Sequence, residues 1–285
     1  MDNCPICKQP GLSVFKKNII EGYDLVKCPN CLVISASPFK APQFVFYSEA
    51  DDVSSQERHT VLFPFPKTHP ARRSALLQNG TGKKILDIGC GNGSFASFVS
   101  GQGFDITGID IDKTSLKLAN KRGLKNATFL EATLPDFIAD PANIGQFDII
   151  SMFEVFEHLE NPNETIALIK KLLKPNGHFI GSLPNIERPF MWKYNMNYEV
   201  PPYHLTYWTT ASWKKYVQEN GFKALSLNNN VYYGYISDIV RARSGVKPKT
   251  LSSYFFAVTK RFVEKPIEQL FGSGASFFFE LQKND

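Results

Sequence analysis

Two sets of residues in this sequence could do chemistry by their types and spacing alone. Cys4-Pro5-Ile6-Cys7 and Cys28-Pro29-Asn30-Cys31 each set two thiols across a tight turn, with twenty residues between the pairs. Four thiolates so spaced form a closed tetrahedral site, so the pattern reads as a structural zinc in a ribbon, with a rubredoxin-like iron or a dithiol redox pair as the alternatives. No coordination position stays open, which argues against catalysis by that metal. The second set is Gly89-Cys90-Gly91-Asn92-Gly93, with Asp87 two residues before its first glycine. Glycines let the backbone approach a ligand closely, and the N–H groups of a following helix face it. A ligand-free βα turn and a dinucleotide site are the rival readings, but Ser94 stands where the dinucleotide fingerprint wants a third glycine or alanine. A carboxylate at Asp87 suits an ammonium-bearing ligand and would repel a pyrophosphate. Asp110 can accept hydrogen bonds from both hydroxyls of a ribose.

These residues need a strand-loop-helix frame, and the sequence supplies one. Lys84 to Ile88 reads as a strand feeding the glycine turn, and Ser94 to Ser100 as a helix with Phe95, Phe98 and Val99 on one side. The alternation continues with strands at 105–110, 127–130, 147–152 and 178–183 and helices at 113–122, 165–173 and 212–220. Ala71 to Leu77 predicts a helix opening this domain, and strands at 224–227 and 275–281 end it. Such spacing predicts an α/β fold with a doubly wound, mostly parallel, seven-stranded Rossmann-like sheet. The expected organisation is a zinc ribbon at 1–38, a linker at 39–70 and a main domain at 71–285, with a lid-like insertion at 231–272.

The segment Ile85-Leu86-Asp87-Ile88-Gly89-Cys90-Gly91-Asn92-Gly93, followed by Gly108-Ile109-Asp110, resembles the first two motifs of the class I S-adenosylmethionine-dependent methyltransferases. Phe147-Asp148-Ile149-Ile150, Glu154-Val155-Phe156-Glu157-His158-Leu159 and Leu173-Lys174-Pro175-Asn176-Gly177-His178 follow in that family's order and spacing. The resemblance covers about 72 to 230 and the closing strand. It implies that Asp87 with Gly89, Gly91 and Gly93 holds the methionine end of S-adenosylmethionine, and Asp110 its ribose. It further implies that Glu131 and Ala132 border the adenine and that Met152 and Phe153 line the pocket. Cys90 is then a small packing residue of the loop.

On the acceptor side, Pro201-Pro202-Tyr203-His204-Leu205-Thr206-Tyr207-Trp208 resembles the Pro-x-His-Leu-x-x-Phe segment of sugar and small-molecule methyltransferases, with Trp208 for the usual Phe. His204 is the candidate base or acceptor-orienting group, against a histidine that only packs its loop. His158, Glu154 and Glu157 are the other candidate bases, while His178 reads as packing. Met191, Trp192, Tyr194, Met196 and Tyr198 could floor an aromatic pocket or belong to a core. A ribbon before this kind of domain resembles enzymes that modify sugars, lipids and secondary metabolites, so the expected partner is a small hydroxylated, sugar or lipid-linked acceptor. The alternatives are a ribosomal-RNA methyltransferase whose ribbon binds RNA, and a non-catalytic scaffold.

Charge decides little between them. The net charge of +5 is too small for a dedicated nucleic-acid binder, and Lys8, Lys16, Lys17 and Lys27 are offset by Asp2, Glu21 and Asp24. Nor does Ser151-Met152-Phe153-Glu154 match the Asn-Pro-Pro-aromatic clamp of enzymes that methylate base amines. The stretch 241–265 carries Arg241, Arg243, Lys247, Lys249, Lys260, Arg261 and Lys265 among aromatics, which suits a solvated lid or contact with a membrane surface or an acidic substrate. No signal-peptide pattern and no run of ~18 apolar residues is seen, so a cytoplasmic protein is expected.

Overall fold

The computed structural model of the chain describes residues 3–41, 65–67, 69–188, 199–231 and 275–284. The expected insertion at 231–272, most of the linker and the aromatic run Met191 to Tyr198 lie outside the described residues, apart from Val231, which ends a strand.

A seven-stranded sheet carries the glycine loop. Its strands are β4 (Lys84–Ile88), β5 (Asp105–Asp110), β6 (Ala127–Glu131), β7 (Phe147–Phe153), β8 (Leu173–Pro184), β10 (Phe222–Val231) and β11 (Ser276–Lys283). They lie in the order β10-β11-β8-β7-β4-β5-β6. The pairs β4 with β5, β5 with β6, β4 with β7 and β7 with β8 are parallel, and β11 alone runs against its neighbours. Strand order turns between β4 and β7, which opens a crevice at the strands' carboxyl ends beside the glycine loop. The mostly parallel sheet read from the alternation of elements is therefore the fold observed.

Helices α1 (Ser94–Ser100), α2 (Lys113–Lys121), α3 (Leu134–Ile138), α4 (Pro162–Leu172) and α5 (Thr210–Glu219) cover the two faces. Both strand faces are apolar, as a sheet buried between helices requires. Phe95, Val99, Ile106, Ile149, Ile180 and Phe278 pack on one side, and Leu86, Ile150, Phe179, Ile169 and Phe279 belong to the core on the other. The helix expected over 71–77 is instead two short 3₁₀ turns, Pro70–Arg73 and Ala75–Leu77. Ser74 breaks them apart: its backbone is extended, and its side chain accepts from the Leu76 N–H to start the second turn. Phe65 and His69, within the expected linker, are buried in that same core.

The cysteine-rich segment forms β1 (Ser13–Ile20), β2 (Tyr23–Lys27) and β3 (Ile34–Ser37), an antiparallel meander. Its sheet is completed by β9 (Thr206–Tyr207), which comes from the main domain. Cys4, Ile6, Cys28, Cys31 and Val33 belong to one core cluster with Phe156, Trp208, Trp213 and Tyr216. Asn163 Nδ2 donates to the Ile6 carbonyl at 2.8 Å, and Lys215 Nζ to that of Asn30 at 2.5 Å. Residue 38 is thus no boundary in packing: the ribbon shares a core with the domain that follows it.

Candidate functional site

The two Cys-x-x-Cys turns are built alike. The Cys4 N–H donates to the Gln9 carbonyl and the Lys8 N–H to the Cys4 carbonyl; the Cys28 N–H donates to Val33 and the Leu32 N–H to Cys28. Lys8 and Leu32, each just after the second cysteine, have φ of 62° and 66°. That repeated turn aims four sulfurs at one point. Cys4 and Cys31 Sγ lie 3.6 Å apart, Cys7 and Cys28 Sγ 3.5 Å, and all four within 4.8 Å of one another. A tetrahedral zinc with 2.3 Å bonds needs sulfurs about 3.8 Å apart, so the donor set fits. The hydrogen bond from Cys31 draws the Cys4 thiol down to about 5, and the same contact pushes Cys31 up. Four sulfurs so placed could hold a metal ion, which would favour their ionised form.

At the carboxyl ends of β4 and β5 the glycine loop is held by the next strand. The Gly91 N–H donates to Asp110 Oδ2 at 2.7 Å, and the Asp112 N–H to Oδ1 at 2.9 Å. Gly89, Gly91 and Gly93 have φ of 70°, 50° and 72°, a region that glycine enters without strain. A Cβ on Gly89 would sit 2.4 Å from Val155 Cγ2, whereas one on Gly91 would meet nothing within 4 Å. The loop therefore packs on one side and opens to space on the other. Arg122 fixes its apex, with Nε donating to the Asn92 carbonyl at 2.6 Å and Nη2 to Asn92 Oδ1 at 3.2 Å. Cys90 is buried against Gly108, as a packing residue would be.

The remaining cofactor-side residues are spread more widely. Asp87 lies beneath the loop, 2% exposed, and accepts from Ser151 Oγ at 2.7 Å. Burial raises its carboxyl to about 7, so a neighbouring cation would favour its ionised form. Glu131 pairs with Asp110 across β5 and β6, and its exposed carboxylate meets Lys113 Nζ at 3.2 Å. The Ala132 N–H donates to the Asp110 carbonyl. Met152, expected to line the pocket, is 2% exposed and belongs to the core. Strand alternation turns Phe153 the other way, where it is partly buried against the core cluster of Phe65, Phe95 and Phe278, with His69 beside it.

Beyond β7 the expected acceptor-side residues meet. Glu154, at φ 54°, ends the strand, and its carboxylate accepts from Ser182 Oγ at 2.6 Å and Ser276 Oγ at 3.2 Å. Glu157 follows in the 3₁₀ turn Phe156–His158, 1% exposed, with neither carboxylate oxygen hydrogen-bonded. His158 Nε2 and His204 Nε2 lie 3.8 and 4.0 Å from Glu157 Oε1, and the two rings are 4.8 Å apart. These three residues offer ligand atoms within 4.8 Å of one another, a set of metal-binding types as well as of proton carriers. Burial, with His158 and Arg188 nearby, holds His204 well below the usual histidine range, so it is neutral. Burial and the charge of Glu154 push Glu157 well above the usual carboxylate range. Arg188, paired with Glu199, is the buried cation beside these acids among the described residues. Ser182, Ser276, Arg122 and Arg188 carry no sequence signal, because each acquires its role only by contact with distant residues.

A family model described as methyltransferase domain matches residues 64–227. The ubiquinone biosynthesis O-methyltransferase of Pasteurella multocida is 36% identical over 127 residues, 40% of this chain and 52% of that protein. The protein of the same name from Marinobacter nauticus is 29% identical over 146 residues, 48% of this chain and 58% of that one. The chain thus spans about half the length of these curated relatives. Among solved structures, a SAM-dependent methyltransferase from Archaeoglobus fulgidus superposes with a TM-score of 0.53 at 18% identity, covering 74% of this chain and 90% of that one. An S-adenosylmethionine-dependent methyltransferase from Mesorhizobium loti gives 0.51 at 16% identity, with 75% and 96% covered. At such identities the structures speak for the fold alone.

Proposed function

Since the chain belongs to the methyltransferase domain family, whose model takes in 64–227 of its 285 residues, we propose that it transfers a methyl group from S-adenosylmethionine to a hydroxyl of a small-molecule acceptor. The observation that carries the reading is the loop itself. It is tied at Gly91 to Asp110, backed by Val155 and open on its other side, and it fits a ligand that needs close backbone approach and a carboxylate for its ribose. Asp87 would favour the ligand's ammonium from below, Asp110 would take the ribose hydroxyls, and Glu131 and Ala132 border the far side.

When bound, S-adenosylmethionine would supply an electrophilic methyl, carried on a sulfonium that can leave as a thioether. The chain's part is alignment and proton removal. His204, held neutral, takes the acceptor's proton. Glu154, anchored by two serines, is fixed where the β7 chain end meets this group. The names of the relatives support a hydroxylated acceptor. Burial of the cysteine turns against the main domain leaves less of the ribbon for RNA, which favours the small-molecule reading over the RNA one. The same fit of four sulfurs supports one structural zinc.

Calorimetry with S-adenosylmethionine, followed by methyl-label transfer to catechol, sugar and RNA acceptors, tests the proposal. Binding in the micromolar range, about −8 kcal/mol, is expected. An Asp110→Ala chain should bind about tenfold or more weakly. No binding, or label entering RNA alone, overturns the reading.

A further inference from the structure

The loop that carries His204 is gripped from two sides. On one, the Leu205 N–H donates to the Glu157 carbonyl at 2.8 Å, and His158 Nδ1 lies 2.8 Å from the Tyr203 carbonyl. On the other, the Ala36 N–H of β3 donates to the Leu205 carbonyl at 2.9 Å, and β3 pairs with β9 at Ile34 with Tyr207 and Ser35 with Thr206. Leu25 and Ile34 of the ribbon bury Tyr207, whose hydroxyl reaches the Glu199 carbonyl. Trp208, one residue on, is fully buried and lies in the cluster that holds Cys4, Cys28 and Cys31. Strand β3 begins three residues after Cys31, directly out of the second cysteine turn. It is therefore tied directly to the cysteine turn.

We propose, resting on the methyl-transfer reading, that the cysteine ribbon is the positioning element of the acceptor side, with the Ala36 N–H as the backbone group that aims His204 towards Glu157. The cofactor loop, between β4 and α1, receives no strand from the ribbon. Metal in the cysteine site then governs the acceptor loop and leaves cofactor binding alone. The ribbon's role is internal, with no need of an external ligand for it.

The test compares the natural chain, Ala36→Pro, Ala36→Gly and chelator-treated natural chain by amide hydrogen exchange and by calorimetry with S-adenosylmethionine. Proline removes the N–H directed at Leu205 and leaves the β2 side of β3 untouched, whereas glycine keeps the donor. In Ala36→Pro and in metal-stripped chain, exchange over 203–208 should speed up about tenfold or more, the loss expected for a hydrogen bond of this kind. Cofactor affinity should stay within about twofold, and Ala36→Gly should restore slow exchange. Unchanged exchange over 203–208 in both perturbed chains overturns the proposal. Equal loss of cofactor binding also overturns it, since the ribbon would then hold the whole fold; should Ala36→Pro not fold, the chelated chain decides. If the natural chain itself fails to bind S-adenosylmethionine, the methyl-transfer reading falls, while the exchange comparison still reports on the ribbon.

Discussion

At the residue scale, opposite effects of burial divide the site. Asp87 is pushed up from 3.8 to about 7 by burial, so the folded chain keeps its proton where the unfolded chain has lost it. Its contribution to stability is fully present below about pH 4 and is lost as pH rises through about 7. Thermal unfolding across this range should show Asp87→Asn melting above the natural chain near pH 8, the gap closing towards pH 4, and the variant should bind S-adenosylmethionine less well. His204 is pushed the other way and stays neutral. His204→Ala should cut methyl transfer by ~10²- to 10⁴-fold with cofactor affinity unchanged. The acid limb of the natural chain's rate profile should lie below the free-histidine value of 6.5. Full activity in the variant would assign the proton to Glu154, Glu157 or His158.

At the element scale, the glycine loop shows how one turn serves packing and binding with different residues. Both Gly89 and Gly91 have positive φ, so a side chain at either is strained by roughly 1–2 kcal/mol. Only Gly89 faces a neighbour, Val155, which a Cβ would meet at 2.4 Å. Gly89→Ala should therefore lower the melting temperature clearly more than Gly91→Ala, while Gly91→Ala, whose new methyl projects into open space, should chiefly weaken S-adenosylmethionine binding. Calorimetric melts and titrations of the two variants side by side separate these effects. Arg122 explains why α2 matters to a loop it does not adjoin in sequence: its guanidinium holds Asn92 by both backbone and side chain.

At the scale of the whole molecule, the ribbon and the sheet domain share one core, so they should melt together. Metal analysis of protein purified without chelator should find one zinc per chain, and iron or no metal would remove the zinc assignment. Deleting residues 1–38 takes Ile6, Val33 and the cysteines from the cluster that buries Trp208 and Trp213. The truncated chain should melt at a lower temperature and aggregate more readily than the natural one, as scanning calorimetry and light scattering would show. No helix among the described residues is long and apolar enough to cross a membrane. The basic stretch 241–265, proposed as a lid or a contact with a membrane surface, lies outside the described residues.

The sequence by itself determined the parallel sheet, the glycine loop with Asp110 and the four-cysteine turns, because each rests on short-range rules: apolar runs between turns, glycine where φ must be positive, thiols three residues apart. It also marked Glu154, Glu157, His158 and His204 one by one. Only the tertiary structure decided that Glu157, His158 and His204 form one group, that Met152 and Phe153 pack against different core clusters, and that Asp87 lies under its loop against Ser151. It alone decided that the ribbon lends a strand to the His204 loop. Such pairings join residues far apart in the chain, and the hydrogen bonds and burial that make them leave no periodic trace in either partner's own segment.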